Sequence, residues 1–133
     1  MHFLLILCLA FDLASIKLEP NPERRSDLAL GNAAAAMDAA RDAAADEAKL
    51  KPALQELRDS VDLAYQSLVD SGKSARRNPK FFKKAELKTR ELMRRLDGLA
   101  QAVDVDDRVF VQSVRERVSN VHDDLIQNIM QKK

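Results

Sequence analysis

Residues 79–103 read PKFFKKAELKTRELMRRLDGLAQAV. Phe82, Ala85, Thr89, Leu92, Leu96, Leu99 and Val103 recur within it at steps of three and four. That spacing gathers them on one face of an α-helix, and such a stripe must be buried against other helices. Two more runs keep the same beat. Leu50, Leu54, Leu57, Val61, Ala64 and Leu68 form one, and Val111, Val114, Val118, Val121 and Leu125 the other. The pattern predicts an all-α fold.

Punctuation between the runs sets the helix ends. Asn21-Pro22 and Asn78-Pro79 each offer a capping side chain followed by a proline at the first helical position. The first helix should run from Pro22 to about Asp46, with Asp46 to Lys49 as the first turn and Pro52 inside the first turn of the second helix. Ser71-Gly72 should end that second helix, since glycine accepts a left-handed conformation. Gly72 to Arg77 reads as a basic link. Val103 to Asp107 reads as the last turn, with Asp104 or Asp106 as cap, and the fourth helix continues to about Met130. Links this short make sequential helices antiparallel neighbours, which predicts an up-down-up-down four-helix bundle over residues 22–133.

The first helix is unlike the others. Ala33 to Ala36, Ala39, Ala40 and Ala43 to Ala45 dominate it, with Leu28, Leu30 and Met37 as its chief large apolar residues. At ~25 cal/mol per Å² of buried apolar surface, small side chains make it the most weakly held helix. The alternative architecture is therefore a three-helix bundle with a loosely packed, Ala-rich first helix. Its exposed alanines would equally support a homodimer. Tetratricopeptide-type repeats do not fit, because no repeat of the required period is present.

The 133 residues suffice for one domain behind a leader. Phe3 to Phe11 is uncharged and apolar. This run is too short to span a bilayer, which needs about 20 residues, but suits the apolar region of a secretory signal peptide over residues 1–14. Cys8 and Ala10 supply small residues for cleavage after Ala10; Ala14 is a second candidate, opposed by Asp12. The leader lacks Lys or Arg before its apolar run. Leu7 before Cys8 does not suit lipid attachment. The competing reading is an apolar arm packed on the bundle. Ile16 to Asn21, within residues 15–21, reads as an extended linker. Export to a periplasmic or secreted location is the expectation, with a cytoplasmic chain as the alternative. Removal of the leader leaves no cysteine, hence no disulfide or thiol chemistry. No later segment is apolar enough to cross a membrane.

Charge is unevenly spread although the net is +1. From Lys73 to Arg95 there are ten bases and two acids, a net +8, whereas Glu23 to Ser71 has ten acids and six bases, a net −4. Lys80, Lys83, Arg90 and Arg94 fall opposite the stripe of the third helix, and Lys84, Lys88 and Arg95 on its flanks. Glu86 and Glu91 can pair with Arg90 and Arg95 four residues later. With Arg76 and Arg77, these bases form a ridge that attracts anions in a salt-dependent way. The ordinary alternative is a solvated face balanced by the acidic first two helices. Phe81 and Phe82 should anchor the core. No aromatic residues interleave with the exposed bases, as single-strand stacking requires, and no helix-turn-helix or zinc-finger pattern appears. Leu87 lies on the basic face, out of register with the core.

Catalytic constellations are scarce. His122 sits at the edge of the fourth-helix stripe with Ser119, Asp123 and Asp124 nearby, but one helix offers no oxyanion element for a triad. Glu-x-x-His di-iron spacing and the Cys-x-x-Cys-His haem motif are absent. Haem held by His122 with Met37, Met93 or Met130 is a minor alternative; methionines at helical spacing usually fill core gaps. Gly31, Gly72 and Gly98 are isolated, so no phosphate loop exists. Tyr65 should lie at the core edge with its hydroxyl in water. No metal or cofactor is expected.

Asn21-Pro22-Glu23-Arg24-Arg25-Ser26 with Leu28-Ala29-Leu30, and Asn78-Pro79-Lys80-Phe81-Phe82-Lys83-Lys84-Ala85-Glu86-Leu87, resemble small, exported, all-helical bacterial proteins of uncharacterised function. The resemblance covers most of the chain after the leader. It implies export and brings neither an activity nor site residues.

The expected function is therefore a non-enzymatic binding or structural module. Its contact surface would be Arg76, Arg77, Lys80, Lys83, Lys84, Lys88, Arg90, Arg94 and Arg95, and its partner an anionic protein, an envelope polymer or a lipid surface. An intracellular nucleic-acid-binding or regulatory module is the alternative, less suited to an exported chain. A haem- or ligand-binding bundle using His122 is the third reading.

Overall fold

Apolar stripes at helical spacing need partners, and in this chain they find one another. The computed structural model describes residues 12–131 and shows an all-helical chain: five helices and no strand among those residues. They are α1 (Leu13–Lys17), α2 (Pro22–Asp42), α3 (Glu47–Asp70), α4 (Pro79–Ala102) and α5 (Val105–Met130). The sequence reading counts four. The additional one, α1, occupies part of the stretch read as an extended linker. Its Leu13 is buried, and Ile16 packs against the core. Residues 1–11 of the proposed leader lie outside the described residues.

Asn21 caps α2 as its spacing implies, accepting a hydrogen bond from the Arg24 amide at 3.0 Å, with Pro22 opening the helix. Asn78 does not repeat this. α4 still opens at Pro79, but the Asn78 amide group reaches across the fold to Glu23 at 3.3 Å. α2 ends at Asp42, earlier than its composition suggests, and the turn falls at Ala43–Asp46. Consequently α3 opens at Glu47, and Pro52 lies in its second turn rather than its first. Pro52 has no amide hydrogen for the Ala48 carbonyl; both residues are exposed, so water can satisfy that oxygen. Gly72 has φ +72°, the left-handed conformation that ends a helix without a Cβ clash.

Polar cross-links give the helix directions. Arg25 meets Ser67 and Asp70, and Asn32 meets Ser60 and Glu56, so α2 and α3 run antiparallel. Arg115 meets Asp97 and His122 meets Glu86, so α4 and α5 also run antiparallel. Between these pairs the sense is parallel. Lys84 and Arg95 of α4 meet Asp27 and Asp38 of α2 in ascending order. Backbone approaches join α2 to α3, α3 to α5, α5 to α4, and α4 to α2. Those of α2 and α5 do not approach each other, and α3 meets α4 only slightly. Residues 71–78 therefore join helices that are diagonal rather than adjacent. This departs from the expectation that every short link makes neighbours: eight residues can cross one end of a structure this narrow.

The core is the predicted stripes. Leu54, Leu57, Val61, Leu68, Phe82, Leu96, Val111, Val114, Val118 and Leu125 are all fully buried. Phe81 is half-buried and Tyr65 stands at the core edge. The first long helix reverses its expectation. Ala29, Ala33, Ala36 and Ala40 have no exposed surface, and α2 with α3 forms the most extensive helix pairing in the fold. Small side chains let the two backbones approach, so close packing replaces large apolar residues. Leu30 and Met37 are buried as expected, but Leu28 is 39% exposed.

Candidate functional site

α4 packs on α5 along one flank and on α2 along the other. The opposite side of the core stripe is left open to solvent, and the sequence loads it with bases. Lys80, Lys83, Lys84, Lys88, Arg90 and Arg94 are exposed there, as are Arg76 and Arg77 in the preceding link. Arg95 is half-buried. Of the candidate residues, Lys84, Lys88, Arg90 and Arg94 line one shallow depression on α4. The candidates differ in how they are engaged.

Lys84, Arg90 and Arg95 are engaged inside the fold. Lys84 Nζ lies 2.6 Å from Asp27, and Arg95 binds Asp38 rather than the Glu91 that its spacing suggested. Glu91 instead lies 3.6 Å from Arg94, an exposed pair worth a few tenths of a kcal/mol. Lys73 similarly reaches Glu23 at 3.1 Å. Part of the basic run thus balances the carboxylates Glu23, Asp27 and Asp38 of α2. Hydrogen bonding by Lys73 and by Arg95 holds the Glu23 and Asp38 carboxyls below the usual carboxylate range.

Lys83, Lys88 and Arg77 make no ion pair among the described residues, and Lys80 lies over the Phe81 ring at 5.6 Å. Leu87, 56% exposed, stands among these cations. Lys84, Lys88, Arg90, Glu91 and Arg94 surround it and form a shallow depression of about 480 Å³. An open face of this kind can accept anionic groups and one apolar contact. It has no enclosed wall to hold a small substrate.

A second polar cluster lies under the ridge, between α4 and α5. Arg90 donates Nε to Glu86 Oε2 at 2.9 Å and Nη2 to Oε1 at 2.8 Å. His122 Nε2 lies 2.9 Å from the same Oε2, and the Glu86 and His122 side chains are only 11% and 15% exposed. Arg90 chiefly, then His122, pulls the Glu86 carboxyl below its ordinary value of 4.5 against the opposing effect of burial. A carboxylate lowered in this way stabilises the fold above its unfolded pKa, and that contribution is lost as pH falls through the folded value. Urea midpoints followed downward from pH 5 should therefore drop more steeply in the parent protein than in Glu86→Gln. Parallel curves would show that this carboxylate carries no acid sensitivity.

Sequence spacing anticipated the Glu86–Arg90 pair but missed the link to His122, which requires knowing that α4 and α5 are antiparallel. His122 is accordingly a packed histidine. Its hydrogen bond goes to Glu86 rather than to Ser119, Asp123 or Asp124, and the two aspartates are exposed. Met37 lies in the core, Met93 packs against it and Met130 is 71% exposed. Among the described residues no group of three or more His, Cys, Asp or Glu could hold a metal ion. No described helix is long and apolar enough to cross a membrane.

Comparison of this chain with protein-family models, with curated proteins and with solved structures finds no match in any of the three.

Proposed function

We propose that this protein is a non-enzymatic binding module that presents the outward face of α4 to an anionic partner. The observation that carries the reading is the cluster of Lys80, Lys83, Lys88 and Arg94 around exposed Leu87, on a helix side that no other element covers. In this reading the four long helices are a four-helix bundle, alternating up and down, that serves as a rigid frame. Export is part of the reading and is supported by the apolar run Phe3–Phe11. Intact mass of protein recovered from fractionated cells tests that part: a full-length cytoplasmic chain overturns it.

Binding tests the rest. Fluorescence anisotropy with labelled poly-glutamate should show affinity falling at least tenfold between about 50 and 200 mM salt, as several released counterions require. Lys83→Glu, Lys88→Glu and Arg94→Glu together should remove binding while leaving the helical circular dichroism unchanged. Arg90 stays in place because it holds Glu86. Affinity that ignores salt, or survives the triple reversal, overturns the reading.

A further inference from the structure

The fold contains its own example of how α4 receives spaced carboxylates from a neighbouring helix. α2 lies parallel to α4, and Asp27 and Asp38 meet Lys84 and Arg95. Each set is eleven residues apart. Eleven residues make about three helical turns, so both ends of the set share one face about 16 Å apart. Counting along both helices from these pairs, the residues of α2 at the levels of Lys88 and Glu91 are Gly31 and Ala34, which carry no charge. The docked helix therefore matches cations with carboxylates and brings no charge to Glu91.

α4 carries this ladder twice. Lys83 and Arg94 are also eleven residues apart, each one position before its counterpart in the docked ladder. A one-residue step turns the ladder by about 100° around the helix, away from α2 and onto the open side. Lys83 makes no ion pair among the described residues, and Arg94 has only the exposed Glu91 at 3.6 Å. Leu87 stands between them, four residues after Lys83, where it adds an apolar contact absent from the docked ladder.

We infer that Lys83, Leu87 and Arg94 form a second helix-docking ladder, which receives an acidic helix from a partner protein in the parallel sense that α2 uses. The partner helix carries carboxylates eleven residues apart, an apolar residue four after the first, and an uncharged residue opposite Glu91. This rests on the reading of α4 as an anion-binding face and names the partner for it. Glu91 favours a partner with spaced carboxylates over a uniformly charged polymer, whose charges would also fall opposite it.

Two stapled, alanine-based peptides of about 20 residues test the ladder. One has Glu at i and i+11 with Leu at i+4. The other has the same composition with its second Glu at i+9, half a turn away on the far side of the helix. Titration calorimetry should show the first peptide binding at least tenfold more tightly. Arg94→Gln should bring the two peptides to equal affinity, and Leu87→Ala should weaken the first. Equal binding of the two peptides by the parent protein overturns the ladder but leaves the anionic-face reading standing. The same holds if poly-glutamate binds and neither peptide does. If nothing binds, both fall. Tighter capture by vesicles containing anionic phospholipid than by the first peptide would assign the face to lipid. Association of the protein with itself that disappears in Arg94→Gln would assign it to a second copy. Either result overturns the inference.

Discussion

Phe82→Ala should lower the unfolding free energy by about 3–5 kcal/mol. Phe82 is 1% exposed and is among the largest fully buried side chains. It sits in the first turn of α4, where the link from α3 delivers the chain to a diagonal position. Truncation removes the ring's transfer energy and leaves a void that four helices cannot easily close. Urea denaturation should show a large fall in midpoint with little change in slope, the signature of lost stability rather than a different unfolded state. Phe81→Ala is the internal control. Phe81 is half-buried with Lys80 over its ring, so its loss should cost clearly less. Equal effects would mean that the neighbours of Phe82 refill its space.

Enlarging a small residue tests the opposite side of the core. Ala36→Leu should destabilise by about 1–3 kcal/mol, because Ala36 has no exposed surface and lies in α2, which forms with α3 the most extensive helix pairing in the fold. Three additional carbons must push α2 away from α3. That movement also strains the hydrogen bonds from Asn32 to Glu56 and Ser60, each 2.8 Å. Ala35→Leu, one residue away on the exposed side, should change the thermal midpoint by little. A neutral or stabilising Ala36→Leu would restore the picture of a loosely packed first helix. The two leucine variants differ only in which face receives the added volume, so helix propensity cancels between them.

These two sites mark what the sequence could and could not convey. The burial of Phe82, Leu92, Leu96 and of Val111, Val114, Val118 and Val121 follows from periodicity alone, because an apolar stripe has one physical solution. The role of α2 does not. Area bookkeeping undervalues alanine, whose contribution is to let another backbone come close, and that depends on the partner. Helix adjacency was equally hidden. Loop length limits how far the chain can travel but does not choose between a neighbouring and a diagonal position. On the candidate site, the exposed bases and Leu87 were legible from their angle to the core stripe. Their division into engaged and open cations was not. Lys84 and Arg95 differ from Lys83 and Arg94 by one residue, and only the position of α2 separates the two sets. Arg95 had a plausible partner in Glu91 and found Asp38 instead. Exposed intrahelical pairs are too weak to decide such competitions.

The diagonal course of residues 71–78 also has a kinetic side. Each antiparallel pair, α2 with α3 and α4 with α5, is built from contacts local in sequence, and such contacts form early. Among the described residues, the parallel seams between the pairs are the extensive contacts that wait for a long stretch of chain to close. Their assembly is then the late step of folding, and the Asp27–Lys84 and Asp38–Arg95 pairs fix its register. The same division permits exchange. If the link opens, α4 and α5 of one molecule can dock on α2 and α3 of another, reproducing every seam of the monomer. At high concentration, size-exclusion chromatography is then expected to show an intertwined dimer with native helix content beside the monomer. Its population depends on how readily the turn at Gly72 straightens.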